Sequence, residues 1–223
     1  NITEDLGYKA VKKFLVKRDE QSGDIDQNLD EKLVSGTSIM EALDICLKNN
    51  FFQFNGKVYQ QKNGVGTGIK LAPPYACMAM GEFEDIVFGS NNQLLDLLMF
   101  WKRFIDDVIG LFKGSEQEFD EFVSWLNSIM RGIVKFKSNF SSDKVEFLDL
   151  IISIENGKLK TNLFVKPSNI QIYLDFISNH PAHCKVGLVY GQALRIIERC
   201  SEPADADLHL ENLRGKLLSR NYP

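Results

Sequence analysis

Arg103-Phe104-Ile105-Asp106-Asp107-Val108-Ile109 sets two adjacent carboxylates between short apolar runs, an arrangement that costs free energy unless a cation sits on it. The flanks set the geometry. Leu97 to Ile105 and Val108 to Phe112 are strand-like and largely apolar, which predicts a tight antiparallel hairpin with Asp106 and Asp107 at its tip, facing a cleft. Oxygen-only ligands of this kind suit hard divalent ions such as Mg²⁺ or Mn²⁺, and in two-metal phosphoryl transfer the ions lie roughly 3.5–4 Å apart. The same residues also read as an ordinary acidic turn, for which Asp is favoured. Both readings stand on this segment alone.

Upstream of the pair, Gly64-Val65-Gly66-Thr67-Gly68-Ile69-Lys70-Leu71-Ala72-Pro73-Pro74 is a glycine-rich loop ending in prolines, and it launches a helix expected from Tyr75 to about Phe88. Glycines let backbone approach a ligand closely, and prolines suit a helix start. The spacing is not that of a Walker loop, and no Rossmann βαβ unit surrounds it. Before the loop, Phe51 to Phe54, Asn55-Gly56 and Lys57 to Gln60 predict a hairpin closed by a strong two-residue turn signal. Earlier still, the chain opens on Asn1-Ile2-Thr3 and moves straight into an amphipathic helix with Leu6, Ala10, Val11, Phe14 and Leu15 on one side, as expected of a fragment of something longer. Residues 18–36 are polar and acidic and predict an exposed connection. A second helix is expected from Thr37 or Ser38, with Glu41 placed for a capping box and Ile39, Leu43, Cys46 and Leu47 on its apolar side.

Downstream, Ser115 and Glu118 predict a capping box, followed by the helical stripe Phe119, Phe122, Val123, Leu126 and Ile129. Val145 to Ile154, Asn156-Gly157 and Lys158 to Val165 predict a further hairpin, and Pro167 breaks the pattern. Helices are expected from Pro181 to Cys200 and around Leu208 to Leu218. Strands joined by hairpins and interspersed with helices indicate an α+β fold rather than a doubly wound one.

Composition sets the bounds. The 223 residues are 44% hydrophobic and 25% charged, an ordinary globular balance with room for a sizeable core. Cys46, Cys77, Cys184 and Cys200 show no pairing framework, which fits a reducing compartment, nucleus or cytosol. No signal peptide or membrane span is read, so no membrane partner is expected. A net charge of −4 argues against a wholly basic nucleic-acid-binding surface but leaves room for local basic linings. Lys9, Lys12, Lys13, Lys17 and Arg18 form one cluster, and Arg195 and Arg199 share a helical face near the end; each can equally be a solvated helix face. His180, His183 and Cys184 lack a second paired set of ligands, so a capping or turn role is expected over zinc.

The order of these segments, and their residues, resembles the reverse transcriptases of Penelope-like retroelements. The resemblance is carried by Gln60-Gln61-Lys62-Asn63-Gly64, Ala72-Pro73-Pro74-Tyr75-Ala76, Glu82-Phe83-Glu84, Arg103 to Ser115, Val145 to Leu150, Gly157 to Thr161, Lys166-Pro167-Ser168, Tyr173-Leu174, Ser178 to Pro181 and Arg220 to Pro223, nearly the whole chain. It implies a right-hand polymerase with a telomerase-like palm, an antiparallel sheet with helices on one face, plus partial fingers and a helical thumb. Residues 1–176 would be fingers and palm, with motif B about 60–88, motif C about 100–112 and motifs D and E about 133–176; residues 177–223 would be the thumb. The activity implied is RNA-directed DNA synthesis from an RNA template, a DNA primer and dNTPs, with two Mg²⁺ or Mn²⁺ ions.

Under this resemblance Asp106 is the principal metal ligand and Asp107 its neighbour. Gly66, Thr67, Gly68, Lys70, Ala72 and Pro73 contact nucleotide and template, and Lys166 lies near the incoming triphosphate. Lys185, Gln192, Arg195 and Arg199 would track a duplex backbone from one thumb helix, opposite Val189, Leu194 and Ile197. Two departures matter. A third carboxylate, in motif A, is expected just ahead of a stretch like Asn1-Ile2-Thr3, so this fragment is expected to be catalytically incomplete, with an exposed apolar seam along its amino end where the motif A strand would pair. Thr67 stands where the family often has Met. The GIY-YIG endonuclease of many relatives has no counterpart in these residues. The alternatives are a remnant that binds nucleic acid or protein without catalysis, and a nucleotide cyclase or other enzyme on a palm-like fold.

Overall fold

In the computed structural model, which describes residues 4–22, 34–62, 64–66, 68–130 and 134–223, the chain divides into two compact units, Asn1–Ser138 and Asn139–Pro223. The division falls ahead of the expected 176/177 boundary. The reason is packing: Leu163, Val165 and Tyr173 belong to the same core as the helices that follow them. Among the described residues the strands pair in small antiparallel sheets of two, two and three strands interspersed with helices, as the α+β class requires.

The first unit begins with α1 (Glu4–Ser22) and α2 (Gly36–Lys48). Leu6, Ala10, Val11 and Leu15 are buried as the periodicity predicts, but Phe14 is exposed. Helix α2 starts earlier than expected because Ser35, not Thr37 or Ser38, is its N-cap; the Ser35 hydroxyl accepts the Ser38 N–H, so no Ser38–Glu41 box forms. Leu43 and Leu47 are buried on α2, whereas Cys46 faces solvent. β1 (Phe51–Phe54) and β2 (Lys57–Gln60) form the predicted hairpin, with Asn55 at φ 49° and Gly56 at φ 72°. Two consecutive positive φ values define the turn that Asn-Gly favours.

Helix α3 (Ala72–Phe88) starts three residues before the predicted Tyr75, with both prolines inside its first turn, where their missing N–H groups cost nothing. It is the spine of this unit. Tyr75 joins the cluster of Val11, Leu15, Leu43 and Leu47, while Met80, Phe83 and Val87 join Phe122 and Leu126. The latter two lie on α4 (Glu116–Ile129), which carries the predicted Ser115–Glu118 capping box. α1 runs so close to α3 that a Cβ added at Gly7 would lie 1.9 Å from Cζ of buried Tyr75. Gly7→Ala is therefore expected to destabilise the unit by about 1–3 kcal/mol despite alanine's better helix propensity. Thermal melts of the two proteins check this; a rise in Tm would mean that α1 does not pack at this distance.

The second unit holds β5 (Lys144–Phe147), β6 (Leu150–Glu155) and β7 (Lys158–Leu163), then α5 (Ala182–Arg199) and α6 (Pro203–Leu218). The continuous strand predicted from Val145 to Ile154 is instead two strands folded back at Leu148-Asp149, with Phe147 opposite Leu150. Leu148 takes φ 56°, a left-handed conformation that leucine seldom adopts and that no turn residue advertises. Helix α6 begins at Pro203, before the predicted Leu208, because Pro203 fills a helix start. Leu163, Ile196, Ala206, Leu213, Leu217 and Tyr222 make the core.

Candidate functional site: a carboxylate-tipped hairpin

β3 (Leu98–Phe104) and β4 (Asp107–Phe112) form the hairpin expected around the two carboxylates. Asp106 is the second central residue of the turn, and Asp107 is the first residue of β4, paired with Phe104. The first central residue, Ile105, sits at φ 56°. A β-branched side chain there costs on the order of 1–3 kcal/mol and persists only when its surroundings hold it.

The holding groups lie at the base of the turn. Glu84 on α3 accepts from Arg103 twice, Nε to Oε1 at 2.8 Å and Nη2 to Oε2 at 2.9 Å, and from the Trp101 indole N–H at 2.8 Å. The third limb of the Arg103 guanidinium reaches the Ile105 carbonyl at 2.9 Å, tying the strained turn to the helix. Burial of Glu84 would raise its pKa, but the Arg103 and Trp101 hydrogen bonds outweigh this and hold the carboxyl below the usual range. Arg103 is thereby committed to Glu84 and to the Ile105 backbone.

Asp106 and Asp107 are both exposed. Neither forms an ion pair with any described Lys, Arg or His. A second turn of the same kind makes the contrast. Phe147-Leu148-Asp149-Leu150 repeats Phe104-Ile105-Asp106-Asp107 in position and backbone, with φ 56° at both second residues. There, Asp149 accepts from Arg195 Nε at 2.9 Å and Arg199 Nε at 2.7 Å. Burial works against the Asp149 charge, yet the two guanidinium groups hold the carboxyl below its ordinary value. A depressed carboxylate stabilises the fold above its unfolded pKa, about 3.9, and that contribution is lost as pH falls through the lower folded value. Asp149→Asn is thus expected to cost about 1–3 kcal/mol at pH 7 and to flatten the acid limb of stability below about pH 4. Urea melts from pH 7 to pH 2 check both signs.

Gly66 is buried, and a Cβ there would lie 2.5 Å from the Asn50 amide nitrogen, so a side chain at this position would have to displace the Asn50 amide. Gly68 is exposed at φ 89° with open space beside it; Thr67 lies outside the described residues. Lys70 and Pro73 are exposed, and Ala72 is half-buried at the start of α3. No hydrogen bond among the described residues joins the glycine loop to the carboxylate pair; α3 is the connection, running from the loop to Glu84. Lys166 is exposed, and its carbonyl accepts the Asn169 N–H.

On α5 the expected row of phosphate-facing groups is broken up. Arg195 and Arg199 turn to Asp149, and Lys185 donates to the Ser178 carbonyl at 2.7 Å with its ammonium over the Phe176 ring. Gln192 is half-buried. The apolar side is also corrected: Leu188, Val189, Ala193 and Ile196 face the core, whereas Leu194 and Ile197 are exposed. Of the amino-terminal basic cluster, Lys9 and Lys13 pair with Glu82, and Lys13 also with Asp85.

Two features escaped the sequence reading. One is the Glu84–Arg103 clamp; the other is the Asp149–Arg195–Arg199 triad, whose only signal was the repeated Phe-Ile/Leu-Asp. As a donor set for a hard cation, Asp106 and Asp107 have the right chemistry but the wrong number. No group of three or more His, Cys, Asp or Glu placed to hold a metal ion occurs among the described residues.

Residues 172–223 match the animal helix-turn-helix domain family. The match covers α5, the short turn at 200–202 and α6, a helix–turn–helix in the plain geometric sense. No curated protein and no solved structure matches the chain. Among the described residues no helix is long and apolar enough to cross a membrane.

Proposed function

We propose that the chain is part of an RNA-directed DNA polymerase of the Penelope-like reverse-transcriptase kind, with the β3–β4 hairpin as the metal-binding edge of a palm and the α5–α6 pair as part of a thumb. One observation carries the reading. Of two turns alike in sequence and backbone, the one at Asp149 is neutralised by two arginines, while the one bearing two carboxylates has no cation among the described residues and sits on a turn clamped through Arg103 to α3. Asp106 and Asp107 would ligate Mg²⁺ or Mn²⁺, and the chemistry such ions would supply is activation of a primer 3′ hydroxyl and neutralisation of triphosphate charge.

The third carboxylate that the resemblance assigns to motif A would complete the set. The β3–β4 pair is a two-stranded sheet whose outer edges meet no further strand among the described residues, and it exposes the apolar side chains Met99, Phe100 and Leu111. The substrates proposed are an RNA template, a DNA primer and dNTPs. Primer extension on an RNA template by the full-length gene product tests the proposal: Mg²⁺- or Mn²⁺-dependent elongation supports it, and a folded, template-bound protein that does not extend overturns it.

The helix-turn-helix match favours a second reading, DNA binding without catalysis. Charge weighs against α6 as a groove-reading helix. Residues 172–223 carry six Lys and Arg and six Asp and Glu, and Glu202, Asp205 and Asp207 crowd the start of α6, the end that such helices present to base edges. The pair serves better as a scaffold that holds the Asp149 turn.

A further inference from the structure

The β1–β2 hairpin has no role in the reading above, and it is unusual in being exposed at every residue. The alternation of a strand sorts its side chains onto two faces. Register puts Phe52 opposite Tyr59 and Phe54 opposite Lys57, so one face carries three aromatics and a lysine; Phe51, Gln53, Val58 and Gln60 make the other. Phe54 is 68% exposed and Phe52 is 52% exposed, and the Phe52 ring stacks on Tyr59 with centroids 5.5 Å apart and planes 18° apart. Such a surface is costly in water unless something covers it.

Charge narrows the chemistry of a partner for this face. Residues 45–81 contain Lys48, Lys57, Lys62 and Lys70 and no Asp or Glu, in a chain whose net charge is −4. Lys48 pairs with Asp44 on α2, and Lys62 donates to Gln60. Lys57 and Lys70 are exposed, with no ion pair to any described carboxylate. Lys57 lies on the aromatic face itself. Lys70 follows the loop whose Gly66 packs against Asn50, and Asn50 anchors the base of the hairpin by accepting the Gln61 N–H on its carbonyl and donating its side-chain amide to Gln61. A protein partner would meet a face in which lysine, a residue depleted at interface cores, stands beside the aromatics. A polyanion carrying planar rings meets both features at once.

We propose that this face is a stacking platform for a single-stranded nucleic acid, with bases on Phe52, Phe54 and Tyr59 and phosphates on Lys57 and Lys70. Residues 52 and 54 are about 6.8 Å apart along the strand, twice the 3.4 Å rise of stacked bases, a spacing that matches one base between their two positions. Stacking is tolerant of sequence, and recognition is therefore expected to be general rather than specific. The platform is separate from the Asp pair, and its test does not read polymerisation, so either proposal can fail alone.

The test is fluorescence anisotropy of a labelled twenty-nucleotide oligo(U) and oligo(dT), titrated with the full chain at several salt concentrations. The expected result is binding that weakens with salt, is competed poorly by duplex of the same length, and drops about tenfold or more in Phe54→Ala and again in Phe52→Ala/Phe54→Ala. Lys57→Gln is expected to weaken binding and reduce the salt slope. Because Phe54 is exposed, its variant is expected to melt like the parent, which separates lost contact from lost fold. Unchanged binding in the double variant overturns the proposal, as does self-association of the parent that Phe54→Ala abolishes, which would assign the face to a second copy of the chain.

Discussion

Asp106→Asn in the full-length protein is expected to reduce RNA-templated extension by at least about a thousandfold while leaving thermal stability within about 0.5 kcal/mol of the parent. The two halves of that expectation have different physical sources. The substituted amide keeps the shape of the turn and one carbonyl oxygen but loses the negative charge that a hard divalent ion requires, so the proposed ion and the barrier lowering it would supply are expected to be lost together. Stability is spared because the carboxylate is exposed and makes no ion pair with the described residues, in contrast to Asp149. Asp107→Asn is expected to fall in the same direction. If Asp106→Asn extends a primer as well as the parent does, the carboxylates are an ordinary acidic turn.

Phe83→Ala is expected to have the largest effect on the fold, a loss of about 3–5 kcal/mol from the first unit. Phe83 is fully buried at 0% exposure, packs with Met80, Val87, Phe122 and Leu126, and lies 5.4 Å, ring to ring, from Phe136. Truncation removes the ring and leaves a cavity where three segments, α3, α4 and the 134–136 stretch, converge. Glu84 is the next residue, so the clamp on Arg103 loosens with the helix. The measurable outcome is a fall in Tm of roughly 6–20 °C, at about 2–4 °C per kcal/mol for a unit of this size, with Phe54→Ala as the near-silent exposed control. A loss below about 1 kcal/mol would mean that α3 is not the spine of this core.

What could be read from the sequence was whatever local chemistry decides. The Asn55-Gly56 turn, the Ser115–Glu118 box and the stripe of Phe119, Phe122, Val123, Leu126 and Ile129 each rest on residues within a turn or two of one another, and each stands where expected. What could not be read depended on distant partners or on strained backbone. Leu148 at positive φ breaks an apolar run that looks like one strand, and nothing in leucine's chemistry announces it. The guanidinium groups of Arg195 and Arg199 looked free because Asp149 is remote in sequence, yet both are bonded to it. Cys46 and Phe14 had the period of buried residues and lie outside because only one face of each helix is covered. The carboxylate hairpin was legible to within one residue, since alternation and Asp pairing fix it locally; the Glu84 clamp at its base was not.

The most direct measurement is Mn²⁺ titration of the isotopically labelled chain, read as paramagnetic broadening of backbone amides, which registers even weak binding by two carboxylates. Broadening that begins at residues 104–108 and disappears from them in Asp106→Asn/Asp107→Asn is the expected result. Broadening centred on other acidic clusters, such as Asp205 to Glu211, with the hairpin tip untouched, would contradict the assignment of Asp106 and Asp107 as a metal-binding pair.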